Sequence, residues 1–433
     1  MFKRLTNLIK TKRAKLCVLG LGYVGLPIAI EFARKGFFVY GYDTKASRIG
    51  ALKSGHSYID DICGKDIMSV SDKFQPSDNA DVLSESDIII ICVPTPLRVN
   101  KTPDMSFILK ATRAISDKLR PGQLIILEST TYPGTTRDIM LPILGKKGLL
   151  PEKDFFLAFS PERIDPGNKK YSFSGIPKVT GGISKFSGIL AASLYEKAVG
   201  RVIRVSSAET AEMVKLLENT FRNVNIGLVN EFAMLCHRLN IDVWEVIEAA
   251  STKPFGFMPF YPGPGIGGHC LPCDPLYLSW KAKKIGFKTS MINLASKTNI
   301  FMPHYVSERV SRILADKKIK LAAARILILG VTYKKDIKDL RESPALDIIK
   351  ILQNGNARVS YYDPYIPYLD THNARLESVK LSPAVFKKHD LAVLVTDHQR
   401  FNYGFIAKNT RLIFDARNAF AKVGIYSDRI IKL

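Results

Sequence analysis

The sequence predicts an α/β protein with two doubly wound domains, one towards each end of the chain, joined by a helical middle. Three observations carry this. Short, continuous apolar runs alternate with helix-length segments at both ends, the pattern of parallel strands covered on both faces. From about residue 207 to about 316 that alternation stops, and apolar residues recur at three- and four-residue spacing. A glycine-rich turn joins the first apolar run to the first helical segment.

In chain order, KLCVLGL (15–21) reads as a buried strand, 24–35 as a helix and FFVYGYD (37–43) as the next strand. DIIIICVP (87–94), QLIILES (123–129) and FFLAFSP (155–161) continue the strands, with helices over about 106–119 and near 136–146. The middle opens with Met213, Leu216, Leu217, Phe221, Val224 and Leu228 at helical spacing. After the basic joint ADKKIKLAAA, the second α/β part offers strands RILILGV, RVSYYD, LAVLVTD and RLIFDAR and a helix over 344–354. The predicted domains are therefore 1–205, 206–316 and 317–433, with no internal repeat and no low-complexity tract.

Composition bounds the function. The 433 residues include 46% hydrophobic side chains, ample for cores, and carry 63 Lys and Arg against 40 Asp and Glu, a formal +23. That charge favours anionic partners such as phosphorylated small molecules. The basic residues lie in scattered doublets such as Lys146–Lys147 and Lys387–Lys388, without zinc-finger spacing or an aromatic RNA-binding signature, so no nucleic-acid partner is expected. The basic residues 1–15 precede an apolar run that Glu31 interrupts before it is long enough to span a bilayer, and no membrane span is predicted. Six scattered cysteines suit reduced thiols in the cytoplasm.

GLGYVG places Gly20, Gly22 and Gly25 in a G-x-G-x-x-G turn, with Tyr23 and Val24 between them, after a strand and at the start of a helix. Gly20 permits the tight turn, Gly22 lets the backbone approach a pyrophosphate, and Gly25 lets helix pack on strand. Asp43 ends the following strand about twenty residues on, where an acid accepts from a ribose 2′-OH and disfavours a 2′-phosphate. The predicted cofactor is NAD, and the first domain is Rossmann-like. GVTYKKD in the C-terminal part lacks the fingerprint, so a second NAD is not expected there.

GPGIGGHCLPCDPLYL (263–278) sets Cys270 and Cys273 in a Cys-x-x-Cys spacing behind four glycines. The residues alone leave three chemistries open: a dithiol couple, half a zinc site, or one nucleophilic thiol in a tight loop. No full metal ligand set accompanies His269, Cys270 and Cys273, so no metal is expected.

PGPGIGGHCLPCDP resembles the cysteine loop of the UDP-glucose/GDP-mannose dehydrogenase family. CVPTP (92–96), ESTTYPGTT (128–136), SPER (160–163), KLLEN (215–219) and YKKDIKDLRESPA (333–345) match that family's motifs in order. STKPFGFMPFYPGPGIGGHCLPCDPLYLSWKA looks most like the UDP-N-acetylglucosamine 6-dehydrogenase branch. Cys273 departs from the pattern, where a small aliphatic residue is expected.

The resemblance implies oxidation of the C6 hydroxymethyl of a UDP-sugar to a carboxylate with two NAD, in polysaccharide biosynthesis. UDP-N-acetylgalactosamine, UDP-glucose or GDP-mannose are alternative substrates. A β-hydroxyacid dehydrogenase or a non-enzymatic NAD-binding protein is a remoter reading, and neither would need the cysteine segment. By resemblance Cys270 is the nucleophile, Lys215 and Asn219 stabilise the oxygen at the reacting carbon, and Asp274 acts with Lys215 and a water in proton transfer. Glu162 is implied in thioester hydrolysis and Thr130 in orienting water. Thr95, Thr130, Arg48 and Arg341 join Gly20, Gly22, Tyr23, Val24, Gly25 and Asp43 around the dinucleotide. Glu162, Arg163, Lys215, Asn219, Tyr261, Gly265, Gly267, Tyr333, Lys334 and Arg417 would hold the UDP-sugar. The central helices resemble a dimerisation element, so a homodimer or larger homo-oligomer is expected. Two plain readings compete: Lys215 and Asn219 on a solvated helix face, and Glu162 paired with Arg163.

Overall fold

This computed structural model describes residues 1–59, 62–164, 173–268, 270–371 and 375–433. The chain forms two compact units, Met1–Glu218 with Leu276–Gly286, and Asn219–Pro275 with Phe287–Leu433.

In the first unit, strands β1 (Lys15–Leu19), β2 (Phe38–Tyr42), β3 (Phe74–Ser77), β4 (Ile88–Ile91), β5 (Gln123–Leu127), β6 (Phe155–Phe159), β7 (Lys178–Gly182) and β8 (Val202–Arg204) form one sheet in the order β3-β2-β1-β4-β5-β6-β7-β8. It is parallel through β6, but β7 runs antiparallel to β6, so the wholly parallel sheet expected from the sequence becomes mixed at this edge. Its helices include α1 (Phe2–Lys10), α2 (Gly25–Arg34), α3 (Ser106–Lys118) and α4 (Lys185–Tyr195). Alternate residues of the central strands feed opposite cores, Val18, Ile88, Ile90 and Ile126 on one face and Leu19, Ile89, Ile91 and Ile125 on the other. That two-sided burial is why β4 can be four isoleucines. The basic amino terminus forms helix α1, which buries Leu5 and Ile9 and rests Phe2 on Phe156.

The division falls within two helices, α5 (Ala208–Arg238) and α7 (Cys270–Lys284); between them lies α6 (Val243–Ala250). The second unit continues with α8 (Ser290–Asp316) and a sheet of β9 (Arg325–Leu329), β10 (Arg358–Tyr362), β13 (Leu391–Leu394), β14 (Ile413–Asp415) and β15 (Ile430–Lys432). The order is β10-β9-β13-β14-β15, all parallel, with β11 (Tyr368–Asp370) and β12 (Arg375–Glu377) as a separate antiparallel pair. Helix α9 (Pro344–Asn354) starts at the Ser343 cap and buries Ile348, Ile349 and Leu352. Within this unit α5 and α8 pack closely, for a Cβ on Gly227 would stand 2.9 Å from Ala295.

Although the sequence shows no repeat, the two sheets open alike. Gly20 (φ +93°) and Gly330 (φ +81°) each follow the first strand and donate to the carbonyls of Tyr42 and Tyr362. The next N–H, of Leu21 or Val331, donates to the aspartate ending the second strand, Asp43 at 3.0 Å or Asp363 at 2.7 Å. What recurs is backbone geometry, carried by one glycine and one aspartate per copy.

Candidate functional site

At the first glycine turn each glycine has a distinct cause. A Cβ on Gly20 would lie 2.6 Å from the Cys92 carbonyl, and one on Gly25 would lie 1.9 Å from the Gly20 carbonyl. Around Gly22 there is nothing within 4 Å, the opening a pyrophosphate needs. Helix α2 begins here without a side-chain cap or an acid in its first turn, leaving its N–H groups and dipole for an anion. Tyr23 is exposed and Thr95 buried. Asp43 has partners of its own. Its carboxylate accepts from Leu21 N–H at 3.0 Å, Lys45 N–H at 2.9 Å and Arg48 Nη1 at 2.9 Å, so the acid and Arg48 also fix the turn's shape.

In the same unit a charged cluster is buried among β5, β7 and α4. Lys178 Nζ lies 2.6 Å from Glu128 Oε2 and 2.8 Å from Glu162 Oε2, with all three side chains at most 9% exposed. Tyr195 donates its hydroxyl to Glu128. Glu162 also accepts N–H donors from its own loop, Arg163 at 2.6 Å and Ile164 at 2.5 Å. Burial works against ionisation of Glu162, but Lys178 and these donors hold its carboxyl below the ordinary range. Glu128, deeper and surrounded by the same charges, is pushed up to about 8, chiefly by burial. Arg163 pairs elsewhere: its guanidinium engages Glu218 and the Pro177 carbonyl. The plain reading of Glu162 as a partner of Arg163 is thereby replaced, because Lys178 is the cation that reaches it.

Helix α5 turns the usual burial inside out. Met213, Leu217, Phe221 and Leu228 are 42–64% exposed, whereas Glu212, Lys215, Asn219, Asn223 and Asn230 are buried. The solvated-face reading of Lys215 and Asn219 therefore does not hold. Each buried group has work on its own unit. Lys215 Nζ donates to the Glu162 carbonyl at 2.6 Å. Glu212 accepts from Gly134 N–H (2.6 Å), Thr136 N–H (2.8 Å) and Thr136 Oγ1 (2.6 Å), pinning the loop that carries Thr130. Thr130 is partly buried, while its neighbour Thr131 is buried against Thr135.

On the second unit, Asn219 Nδ2 donates to Asp274 Oδ2 at 2.5 Å, and Asn223 Nδ2 to the Leu271 carbonyl at 3.1 Å. Asn230 accepts from Gly263 N–H at 3.0 Å and donates to Asn299, which in turn donates to the Asn223 carbonyl. Both ends of the cysteine segment are thus tied to one helix face. The backbone of Cys270 opens helix α7, and its side chain lies outside what is described, as does His269. Placing Cys270 in a loop is therefore corrected: the loop stops just short of it, and Cys273 is buried one turn into the helix. A helix start is a feature that this pair shares with dithiol couples. The strand that leads into such couples is still absent among the described residues, since 254–268 are irregular.

The glycines before Cys270 lie where neighbouring side chains and carbonyls leave no room for a Cβ. A Cβ on Gly267 would meet Tyr333 at 2.5 Å and the Glu342 carbonyl at 2.6 Å, and one on Gly263 would meet Arg417 at 2.6 Å. Gly265 adopts φ +128° against Pro303 and Pro344. Gly268 N–H donates to the Arg341 carbonyl at 2.9 Å, while the Arg341 guanidinium forks onto Asp339. So Tyr333, Arg341 and Arg417 gather at the loop; Lys334 follows Tyr333, and Tyr261 stacks on Trp244 at 6.1 Å. At the second glycine turn Asp363 is taken by buried His398, 3.0 Å from its Nε2, whereas Asp43 meets Arg48. Among the described residues no group of three or more His, Cys, Asp or Glu could hold a metal ion, and no helix is long and apolar enough to cross a membrane.

Glu128, Lys178, Glu212, Asn223, Asn230 and Asn299 escaped sequence reasoning. One signal was available: Lys215, Asn219 and Asn223 recur every four residues on one face. Lys178 carried none, as a lone lysine at a strand start.

An open dinucleotide turn, a cysteine segment tied to a buried polar helix face and a second α/β sheet whose opening turn lacks the three-glycine fingerprint define an NAD-linked dehydrogenase of the two-sheet type. Comparison with known proteins makes this specific. Residues 14–199, 209–300 and 327–422 match the NAD-binding, central and UDP-binding domains of the UDP-glucose/GDP-mannose dehydrogenase family. The chain is 38% identical over 413 residues to the UDP-N-acetyl-D-mannosamine dehydrogenase of Pyrococcus horikoshii, covering 93% of this chain and 95% of that one. It is 36% identical over 413 residues to a UDP-N-acetyl-D-glucosamine 6-dehydrogenase of Pseudomonas aeruginosa, covering 94% and 96%. The solved structure of the P. horikoshii UDP-D-ManNAc dehydrogenase superposes with a TM-score of 0.86 over 96% of this chain and 98% of that one, at 36% identity. The chain belongs to the UDP-glucose/GDP-mannose dehydrogenase family and is an NAD-dependent nucleotide-sugar 6-dehydrogenase.

Proposed function

We propose that the chain oxidises the C6 hydroxymethyl of a UDP-linked 2-acetamido sugar, UDP-N-acetylglucosamine first, to the uronic acid through a covalent intermediate on Cys270. The observation that carries this is the tethering of the cysteine segment to α5: Asn219 holds Asp274, and Asn223 holds Leu271, the residue after Cys270. The thiolate of Cys270 is the form that would add to an aldehyde. The Gly20–Gly25 turn, Asp43, Arg48 and Thr95 would hold NAD, which would supply the hydride acceptor for each oxidation. Lys215 and Asn219, one turn apart on α5, supply charge and an N–H to the oxygen at the reacting carbon. Asp274 moves the alcohol's proton with Lys215. Glu162 takes a proton from the water, oriented by Thr130, that cleaves the thioester.

Arg163, Tyr261, Gly265, Gly267, Tyr333, Lys334 and Arg417 are the proposed contacts of the UDP-sugar, and Arg341 and Tyr23 join the dinucleotide set. A domain division at residues 205 and 316 and a cytoplasmic location complete the reading. The apolar stripe of α5 is proposed to face a second copy of the chain, since no monomer gains by exposing Leu217 and Phe221 over buried asparagines.

UDP-N-acetylmannosamine, the C2 epimer, is the second reading, because relatives named for either sugar match at 36–38% identity. The test is kcat/KM for UDP-N-acetylglucosamine, UDP-N-acetylmannosamine, UDP-N-acetylgalactosamine and UDP-glucose, with NADH counted per product. Two NADH per acid and a preference for an acetamido sugar are expected. One NADH with free aldehyde accumulating, or UDP-glucose as best substrate, overturns the reading.

A further inference from the structure

Two carboxylates share one buried ammonium behind the Glu162 loop, and nothing in the chemistry so far uses Lys178 or Glu128. A buried ion pair rarely repays its desolvation, and removing one partner strands the other. A cluster with two acids to one base is less favourable still unless a proton is shared. Glu162 lies at the outer edge of this cluster, 9% exposed at its side chain, while Glu128 is fully buried.

We propose that Lys178 is a positioning residue for the hydrolytic half of the reaction, fixing the Glu162 carboxylate in place and in its ionised form, with Glu128 as the buried counter-acid that holds Lys178 at the right depth. The inference rests on the reading of Glu162 as the base. Water adds to the thioester carbonyl, forming the C–O bond as Glu162 takes one proton. The C–S bond then breaks, and the Cys270 thiolate leaves with its electron pair. A base that must be ionised needs a cation whose own position cannot drift, and Lys178 is held from three sides. Glu162 and Glu128 bind its ammonium, and the rings of Phe173 and Tyr195 stand 5.4 and 5.2 Å from Nζ.

The groups facing Glu162 are few. Lys178 on β7 and Glu128 after β5 reach its carboxylate, Lys215 on α5 binds its carbonyl, Cys92 after β4 lies close enough to feel its charge, and Tyr195 on α4 acts through Glu128. Among the described residues, Lys178 is the cation bound to that carboxylate. Burial alone would push Glu162 up and make it a poor base near neutrality; Lys178 reverses this.

The experiment separates the two halves of the reaction in the full-length enzyme. A stopped-flow burst of NADH reports formation of the thioester, and steady-state turnover reports its hydrolysis. Lys178→Met should leave the burst amplitude near one equivalent of thioester and move the acid limb of the turnover–pH profile upward by a unit or more, about tenfold slower turnover on that limb. Lys178→Arg, which keeps the cation, should restore most of that loss. NAD binding and thermal unfolding check that each variant folds, and should Lys178→Met not fold, Lys178→Arg and Glu128→Gln carry the test. Glu128→Gln removes the competing charge and keeps one acceptor oxygen for Lys178, so it should flatten the alkaline side of the profile. A folded Lys178→Met enzyme with an unmoved acid limb overturns the inference, as does an unchanged alkaline side in Glu128→Gln. Glu162→Gln distinguishes the underlying reading: if it hydrolyses normally, Glu162 is not the base; if it stalls after the burst while Lys178→Met does not, only Lys178's role is wrong.

Discussion

Substituting Glu212 tests the loop that carries Thr130, and its cost follows from the bonds it makes. Glu212→Ala removes the partner of three donors, Gly134 N–H, Thr136 N–H and Thr136 Oγ–H, all on buried residues. Each buried donor left unpaired costs about 1–3 kcal/mol. The deleted carboxylate leaves space for a water that can serve two of them, so the loss should be about 3–4 kcal/mol rather than the full sum. Glu212→Gln keeps Oε1 and both Thr136 contacts but turns an amide N–H towards Gly134 N–H. One orphaned donor gives about 1–3 kcal/mol.

The pH dependence supplies a second signature. Burial raises the Glu212 carboxyl from 4.5 to about 7 against the pull of the Thr136 and Gly134 donors. The folded state therefore binds a proton that the unfolded chain releases. Stability is highest below the unfolded value and falls as pH rises through the folded one, by about 3 kcal/mol in all. Glu212→Gln should flatten this slope. Urea unfolding at acid, neutral and alkaline pH measures it, and hydrogen exchange of the peptide spanning 130–141 reads the loop directly. An alanine variant with wild-type protection of that peptide, or a glutamine variant weaker than the alanine one, would refute the reasoning.

Cys270→Ser should halt turnover at or before the aldehyde while Cys273→Ser keeps most of it; equal loss in both, or zinc retained by the purified protein, points to a two-cysteine site instead. Asn223→Ala strips the Leu271 carbonyl and the Ser296 hydroxyl of a partner, and should lower kcat by about tenfold or more with KM for the sugar little changed; a change confined to KM contradicts a role in placing the thiol. Gly25→Ala puts a Cβ 1.9 Å from the Gly20 carbonyl and should abolish NAD binding in calorimetry while UDP still binds, and normal NAD affinity would show the turn to be softer than its packing implies.

The fold was legible where burial is two-sided. Continuous apolar runs gave β1, β2, β4, β5, β6, β9, β13 and β14, because a strand covered on both faces has little room for polar residues, while β10 was found by the alternation of RVSYY. The edge strands β3, β8 and β15 were missed, as was β7 beside β8. FQPS contains a proline tolerated at a sheet edge, and VIR is partly exposed, so neither has the composition of a core strand. Helix α5 was found by its period, which does not say which face is buried. An apolar stripe at helical spacing announces a helix, but which face is buried depends on what packs against it. Here the amides and Lys215 have buried partners, while Leu217 and Leu228 stay exposed. The glycine turn and Asp43 were legible because their spacing is set by backbone geometry alone. Lys178, drawn to Glu162 across a β-pairing, is a contact of the fold and not of any local pattern.

The segment Leu276–Gly286 completes the first unit although the chain has already left it for the second. Tyr277 is buried there with its hydroxyl on the Pro96 carbonyl at 3.1 Å, and Trp280 rests on Tyr132 at 5.0 Å. A ribosome releasing this protein therefore delivers all eight strands of the first sheet well before the piece that covers Tyr132. Until residue 286 has emerged, the nascent domain presents that ring, on the Thr130 loop, to chaperones and proteases. Coupling completion of the cofactor-bearing half to synthesis of the cysteine segment means that no truncated product ending between the two can have a finished dinucleotide domain.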